Sequence, residues 1–130
     1  MLVIDKWKRI IENGQSQKLH LIIDKDAVFY SPVVYSPQKG KKLVLKYLLA
    51  AVDVFNDTDF RYVNEITDNN SMYGEFKATL DNVELNGIDY IKWKNGLIIE
   101  FKVFIRPHKG LEVIWLKMQN KLKENVKIIS

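Results

Sequence analysis

Apolar and polar positions alternate most regularly between Val83 and Pro107, in the stretch VELNGIDYIKWKNGLIIEFKVFIRP. This reads as two long strands joined at Asn95-Gly96. An Asn-Gly pair tolerates positive φ at both central positions, which a two-residue type I′ turn demands. Before the turn, Asp89, Ile91 and Trp93 share one face, opposite Tyr90 and Lys92. After it, Leu97, Ile99, Phe101, Val103 and Ile105 share a face, and Glu100, Lys102 and Arg106 take the other. Asp89 is therefore a carboxylate on a face that is otherwise apolar.

The remaining elements follow from the same kind of pattern. Val3, Ile4, Trp7, Ile10 and Ile11 recur at helical spacing, and Asn13-Gly14 closes that helix. Ser16 opens a short second helix to about Leu21, which Asp24-Lys25-Asp26 breaks. Ala27 to Val34 is β-branched and aromatic and reads as a strand, with Pro32 at an edge or bulge. Ser36 to Gly40 is a loop. Leu43, Val44, Tyr47, Leu48, Ala51, Val52 and Phe55 predict a third helix, stopped by Asn56-Asp57. Phe60, Tyr62, Asn64 and Ile66 then alternate with Arg61, Val63 and Glu65, and Met72 to Leu80 alternates most clearly. Asp81-Asn82 turns into the central hairpin, and Asn86-Gly87 is expected to be a bulge. Leu111, Ile114, Trp115, Met118 and Leu122 mark a closing helix. Segregated helices and strands imply an α+β fold, a strongly bent antiparallel sheet wrapped over helices, with a concave mouth that favours a pocket.

Length and composition narrow the classes. The 130 residues are expected to form one domain, residues 1–130, with 47% hydrophobic and 28% charged positions. The net charge of +4 is spread along the chain, without the concentrated basic patch and interleaved aromatics of a nucleic-acid binder. The absence of cysteine excludes disulfides, thiolate chemistry and cysteine–zinc sites. The first residues carry early charges and no apolar core of a secretory signal, and no apolar run has membrane-spanning length. A cytoplasmic protein that acts on neither membrane nor nucleic acid is the expectation.

Certain residues, in order, carry a resemblance. They are Trp7, the strand AVFYSPVV with Ser31-Pro32, Gly40, and Phe60-Arg61-Tyr62-Val63. Then come Asn86-Gly87-Ile88-Asp89, Asn95-Gly96-Leu97-Ile98-Ile99-Glu100-Phe101 and Arg106-Pro107. Over nearly its whole length the chain resembles the nuclear transport factor 2-like superfamily, in particular its SnoaL-like bacterial branch. The resemblance implies a cone-shaped, cystatin-like curved antiparallel sheet over N-terminal helices, with an additional C-terminal helix. It also implies a pocket in the cone and a homodimer through the outer sheet face. The family's activities range over isomerases, cyclases, dehydratases and epoxide hydrolases, so the fold offers a pocket rather than a reaction. One departure matters. Catalytic relatives carry an acid on the inward face of the last long strand, where this chain has Ile99, Phe101, Val103 and Ile105.

Asp89 is the candidate catalytic residue. In a dry cavity, desolvation would raise its proton affinity and suit it to proton transfer. Two other placements stay open: a structural carboxylate bonded to a tyrosine or backbone N–H, or a register flip at Asn86-Gly87 that turns it outward. Tyr30, Tyr62, Asn64 and His20 are candidate ligand-binding residues, with core tyrosines and a surface histidine as the alternatives. His20 and His108 have no metal-ligand spacing with each other or with a carboxylate pair, so no metal is expected. No phosphate loop is present, and no cofactor is expected. Glu65, Glu75 and Glu100 fall on the opposite face of the strands, where cross-strand ion pairs with Arg61, Lys77, Lys102 and Arg106 are open to them. Val63, Tyr73, Ile88, Tyr90 and Phe104 make that face apolar enough to suggest an interface. The function classes are an acid–base isomerase, cyclase or hydratase on an apolar small molecule, and alternatively a non-catalytic ligand-binding or protein-interaction module.

Overall fold

The computed structural model describes residues 2–129, with side chains through residue 123. Helix α1 (Val3–Asn13) leads through a 3₁₀ turn (Ser16–Leu21) into strand β1 (Ile23–Tyr30). A two-residue strand β2 (Gln38–Lys39) precedes helix α2 (Lys41–Phe55). Strands β3 (Arg61–Thr67), β4 (Ser71–Leu80), β5 (Val83–Lys94) and β6 (Leu97–Arg106) follow, and helix α3 (His108–Ile129) comes last. The six strands form one sheet in the order β2-β1-β6-β5-β4-β3. The fold is α+β, a curved sheet with N-terminal helices and a C-terminal helix. All neighbours are antiparallel except β1 and β6, which run parallel.

The turns form where their residues permit positive φ. Asn95 and Gly96 sit at φ 52° and 77° between β5 and β6, and Asp81 and Asn82 at 49° and 63° between β4 and β5. Gly14 closes α1 at φ 64°, its N–H donating to the Ile10 carbonyl. All the apolar positions expected on the inner side of α1 are buried: Val3, Ile4, Trp7, Ile10 and Ile11. They join Val44, Leu48, Val52 and Phe55 of α2, Ile114 of α3 and the inner residues of the sheet in one core.

Alternation runs unbroken through the centre of the sheet. β4 pairs with β5 without a slip from Ser71–Lys92 to Leu80–Val83. The bulge expected at Asn86-Gly87 is therefore not there. Gly87 serves a different purpose: a Cβ at that position would lie 2.3 Å from Cζ of Phe76 and 2.5 Å from the Phe104 carbonyl oxygen. The glycine lets the Phe76 ring lie across the β5 backbone.

The irregularities lie elsewhere, and each corrects an expectation. The β5–β6 register shifts so that Lys92 faces Glu100 and Trp93 faces Ile98. The extra residue is Ile99, so Ile98, fully buried, points inward and the alternation counted from Leu97 is reset. The β3–β4 register shifts between Tyr62, opposite Phe76, and Asn64, opposite Glu75. Tyr62 therefore faces inward while Asn64 and Ile66 turn outward. β1 begins at Ile23, absorbs Asp24-Lys25-Asp26 in its own irregular stretch, and stops at Tyr30 rather than Val34. It stops because Pro32 has no N–H for a ladder, and Ser31 Oγ accepts from the N–H groups of Val33 and Val34 at 3.1 and 3.2 Å.

Candidate functional site

The inner face of β5 reads Leu85, Gly87, Asp89, Ile91, Trp93, and all five are buried. Asp89 is the one buried charged or polar residue among those described, 5% exposed. It lies on the wall of a cavity of about 60 Å³. Other parts of that wall come from α1 (Trp7), β1 (Phe29), α2 (Tyr47, Leu48), β4 (Phe76), β6 (Phe101, Val103) and α3 (Trp115, Met118). Ser31, Pro32 and Val33 line it from the loop after β1.

The carboxylate is held by a two-step chain of donors. The Tyr62 hydroxyl donates to Oδ2 of Asp89 at 2.5 Å. The Trp7 indole N–H donates to that same hydroxyl oxygen at 2.9 Å. Trp7 is anchored edge-on against Phe101, with centroids 4.9 Å apart. No second hydrogen bond to the Asp89 carboxylate occurs among the described residues. No buried side-chain oxygen or nitrogen there lacks a partner, so Oδ1, unpaired within the protein, is not sealed off, and Asp89 lines the cavity.

Burial controls the proton affinity of this group. Desolvation among apolar walls pushes the Asp89 carboxyl up to about 7, against the lowering effect of the Tyr62 hydrogen bond. Burial first, and then the neighbouring Asp89 charge, hold the Tyr62 phenol protonated well above its usual range. Near neutral pH the carboxyl is thus divided between its acid and its base, the condition under which a general acid or base works best.

The expected site residues disperse. Asp89 and Tyr62 come together, although Tyr62 stands behind the carboxylate and does not line the cavity. Tyr30 does not line it either, because Phe29 takes the inner position of β1 and alternation turns its neighbour outward. The Tyr30 ring instead lies under Lys102, whose Nζ is 4.5 Å from the ring centroid. Asn64 is exposed, turned out by the β3 bulge. His20 is exposed beside fully buried Leu19, which takes the inward position of the 3₁₀ turn. Of the expected site residues only Asp89 lines the cavity; among the wall residues that had no part in the expected site are Ser31, Tyr47, half-buried in α2 and stacked on Phe29 at 5.5 Å, and Trp115 of α3. The role of Trp7 as a donor was likewise invisible, since helical spacing marks it only as apolar.

The cross-strand ion pairs open to the glutamates of the outer face are not the ones formed. Glu65 pairs with Lys8 of α1 at 2.5 Å, Arg61 lies 3.5 Å from Asp59, and Glu75 accepts from the Asn86 amide. Among the described residues no cluster of three His, Cys, Asp or Glu could hold a metal ion. Among the described residues no helix is long and apolar enough to cross a membrane.

No family model matches the chain, and no curated protein sequence does. Solved structures do. A steroid delta-isomerase from Pseudomonas aeruginosa is similar over 96% of this chain and 92% of its own, at 29% identity and a TM-score of 0.87. An uncharacterised bacterial protein with a cystatin-like fold from Silicibacter pomeroyi matches 98% of this chain and 89% of its own, at 22% identity and 0.85. An NTF2-like protein of unknown function from Mesorhizobium loti matches 81% and 88%, at 12% identity and 0.73. The last two likenesses bear on fold alone.

Proposed function

We propose that this chain, which shares its fold with nuclear transport factor 2-like proteins, binds an uncharged, largely apolar small molecule in its inner cavity and that Asp89 exchanges a proton with it. One observation carries the reading: a lone carboxylate on an apolar wall, with one oxygen held and the other open. The likeness to a steroid delta-isomerase supports isomerase-type chemistry. In such a reaction the carboxylate accepts a proton from one carbon and returns it to another, so a single group serves as base and then as acid. Ser31 and Tyr47 line the same cavity, and their hydroxyls are of the kind that a developing enolate oxygen needs as donors. The apolar inner side of β6 leaves Asp89 to work without a second acid.

The test is Asp89→Asn, assayed against a panel of β,γ-unsaturated ketones of increasing size, with circular dichroism to check the fold. Loss of turnover with the fold intact supports the proposal. Equal turnover in both proteins sinks it. A second reading has its own observation. A cavity of about 60 Å³ is small beside the roughly 300–1,000 Å³ of typical ligand sites, which suits a non-catalytic module that holds a small ligand or opens to admit one. Ligand retained by Asp89→Asn, with no turnover by either protein, would favour that reading.

The outer sheet face is proposed to pair two copies of the chain. Phe104, Tyr73 and Ile88 are 54, 50 and 41% exposed there. They alternate with charges of both signs, which a self-complementary twofold interface can pair. Sedimentation of the wild type against Phe104→Lys tests this, and a wild type that stays monomeric throughout the micromolar range would refute it.

A further inference from the structure

We propose that Trp7 and Tyr62 are positioning residues which commit the only proton of the Tyr62 hydroxyl to Oδ2 of Asp89, and so direct every proton exchange of that carboxyl through Oδ1 into the cavity. This rests on the reading of Asp89 as the working group, but its test does not depend on turnover.

The geometry sets the direction of the chain. An indole N–H can only donate, so the Trp7 contact at 2.9 Å must use a lone pair of the phenol oxygen. The phenol then has one proton left, and the single acceptor within reach is Oδ2 at 2.5 Å. Donor and acceptor roles are fixed in sequence, Trp7 to Tyr62 to Asp89, with no arrangement of opposite sense. A tyrosine without the indole behind it could rotate its hydroxyl toward a ligand. Here it cannot, and the phenol, standing outside the wall, is not a substrate contact.

This arrangement has a consequence for the ligand. When Asp89 is protonated, Oδ2 is occupied by an incoming hydrogen bond and the proton sits on Oδ1. The cavity then presents an O–H donor to a neutral acceptor such as a carbonyl or ether oxygen. When Asp89 is ionised, the same atom is a base. The other groups packed around it do not compete for the proton. α2 offers Tyr47, β1 and β6 offer phenylalanine and aliphatic side chains, α3 offers Ile114 and Trp115, and Glu65 faces Tyr62 from β3 with Lys8 as its own partner. The site is thus fitted to an uncharged molecule with one polar group. An anionic ligand would meet the carboxylate without a compensating cation.

Titration of the Asp89 side-chain carboxyl by carbon-13 NMR is the test. Deleting only the phenol oxygen, in Tyr62→Phe, should move the Asp89 midpoint upward from about 7 by roughly one pH unit, because a charge-assisted hydrogen bond to the carboxylate is lost. Trp7→Phe should move it upward by less, since the phenol remains but donates more weakly. The wild type supplies a readout that no folding defect can obscure: the Trp7 indole N–H resonance should titrate with the Asp89 midpoint. An Asp89 midpoint unchanged in Tyr62→Phe, or an indole signal indifferent to the Asp89 titration, overturns the proposal. Loss of turnover in Asp89→Asn with an unmoved midpoint in Tyr62→Phe would keep the proposed activity and discard the positioning role.

Discussion

The two faces of the same sheet treat charge in opposite ways. On the outer face a cross-strand row places Arg61 opposite Lys77, Lys77 opposite Asn86, and Asn86 opposite Arg106. These residues line an open polar groove, larger than the inner cavity, with Asp59, Glu75 and Glu84 among them. On the inner face of β4 and β5 every residue from Leu85 to Trp93 and from Met72 to Leu80 is buried, and one of them, Asp89, is a carboxylate. Charges in the groove face water and are screened by salt beyond about 10 Å at ordinary ionic strength, so their number has little chemical effect. The single inner carboxylate lacks that screening, and its proton affinity moves by about three pH units from 3.8 to about 7. Burial, rather than abundance of charge, is what marks a site here.

The sharpest way to break the comparison is to make the inner acid an amide. Asp89→Asn should lower turnover by about 10³-fold, within the range of general acid–base contributions, when steady-state rates are compared on the same substrate. A wild-type-like rate would reduce the two faces to equal chemical standing.

Next in size is the cost of keeping that carboxylate inside. The folded carboxyl holds its proton up to about pH 7 and the unfolded one releases it near 3.8. Between those values the folded state binds more protons than the unfolded state, so stability falls as pH rises. The contribution of Asp89 is fully present below about pH 3.8 and gone above about pH 7, and amounts to on the order of 4 kcal/mol. Urea unfolding of the wild type against Asp89→Asn, from pH 4 to 8, checks this. The variant should show a flatter profile in that window and be the more stable protein at pH 8. A wild type whose extra stability instead grows toward pH 8 would contradict the burial argument.

Packing beside the acid comes third. Gly87→Ala pushes a methyl group into Phe76 and the Phe104 carbonyl, and should destabilise the protein by about 2 kcal/mol in chemical denaturation. The smallest effect belongs to the outer face. Lys77→Ala removes one cation from a row of three, and should change unfolding free energy by no more than about 0.5 kcal/mol. A larger loss would show that the outer row is tied into the fold more firmly than its exposure implies.

Much of this was legible in the chain. The two positive-φ turns, the buried stripe of α1 and the inward aim of Asp89 all follow from patterns within a few residues, and β4 and β5 keep their period without interruption. Asn64 and Ile66 were misread because one extra residue beside Tyr62 resets the alternation of β3. Ile99 has the same effect in β6. A bulge leaves no mark in a run of β-formers, since any residue there can be the one left unpaired.

The sequence by itself determined the element types, the hairpins and the face on which the carboxylate falls, because periods of two and 3.6 are properties of the local backbone. Only the tertiary structure decided which oxygen of Asp89 is occupied and how strongly it holds a proton. The phenol that meets it is 27 residues away, and the indole behind that phenol is a further 55 from it. The apolar walls come from all three helices and the sheet together. Desolvation depends on everything that surrounds a group, so no local pattern can encode it.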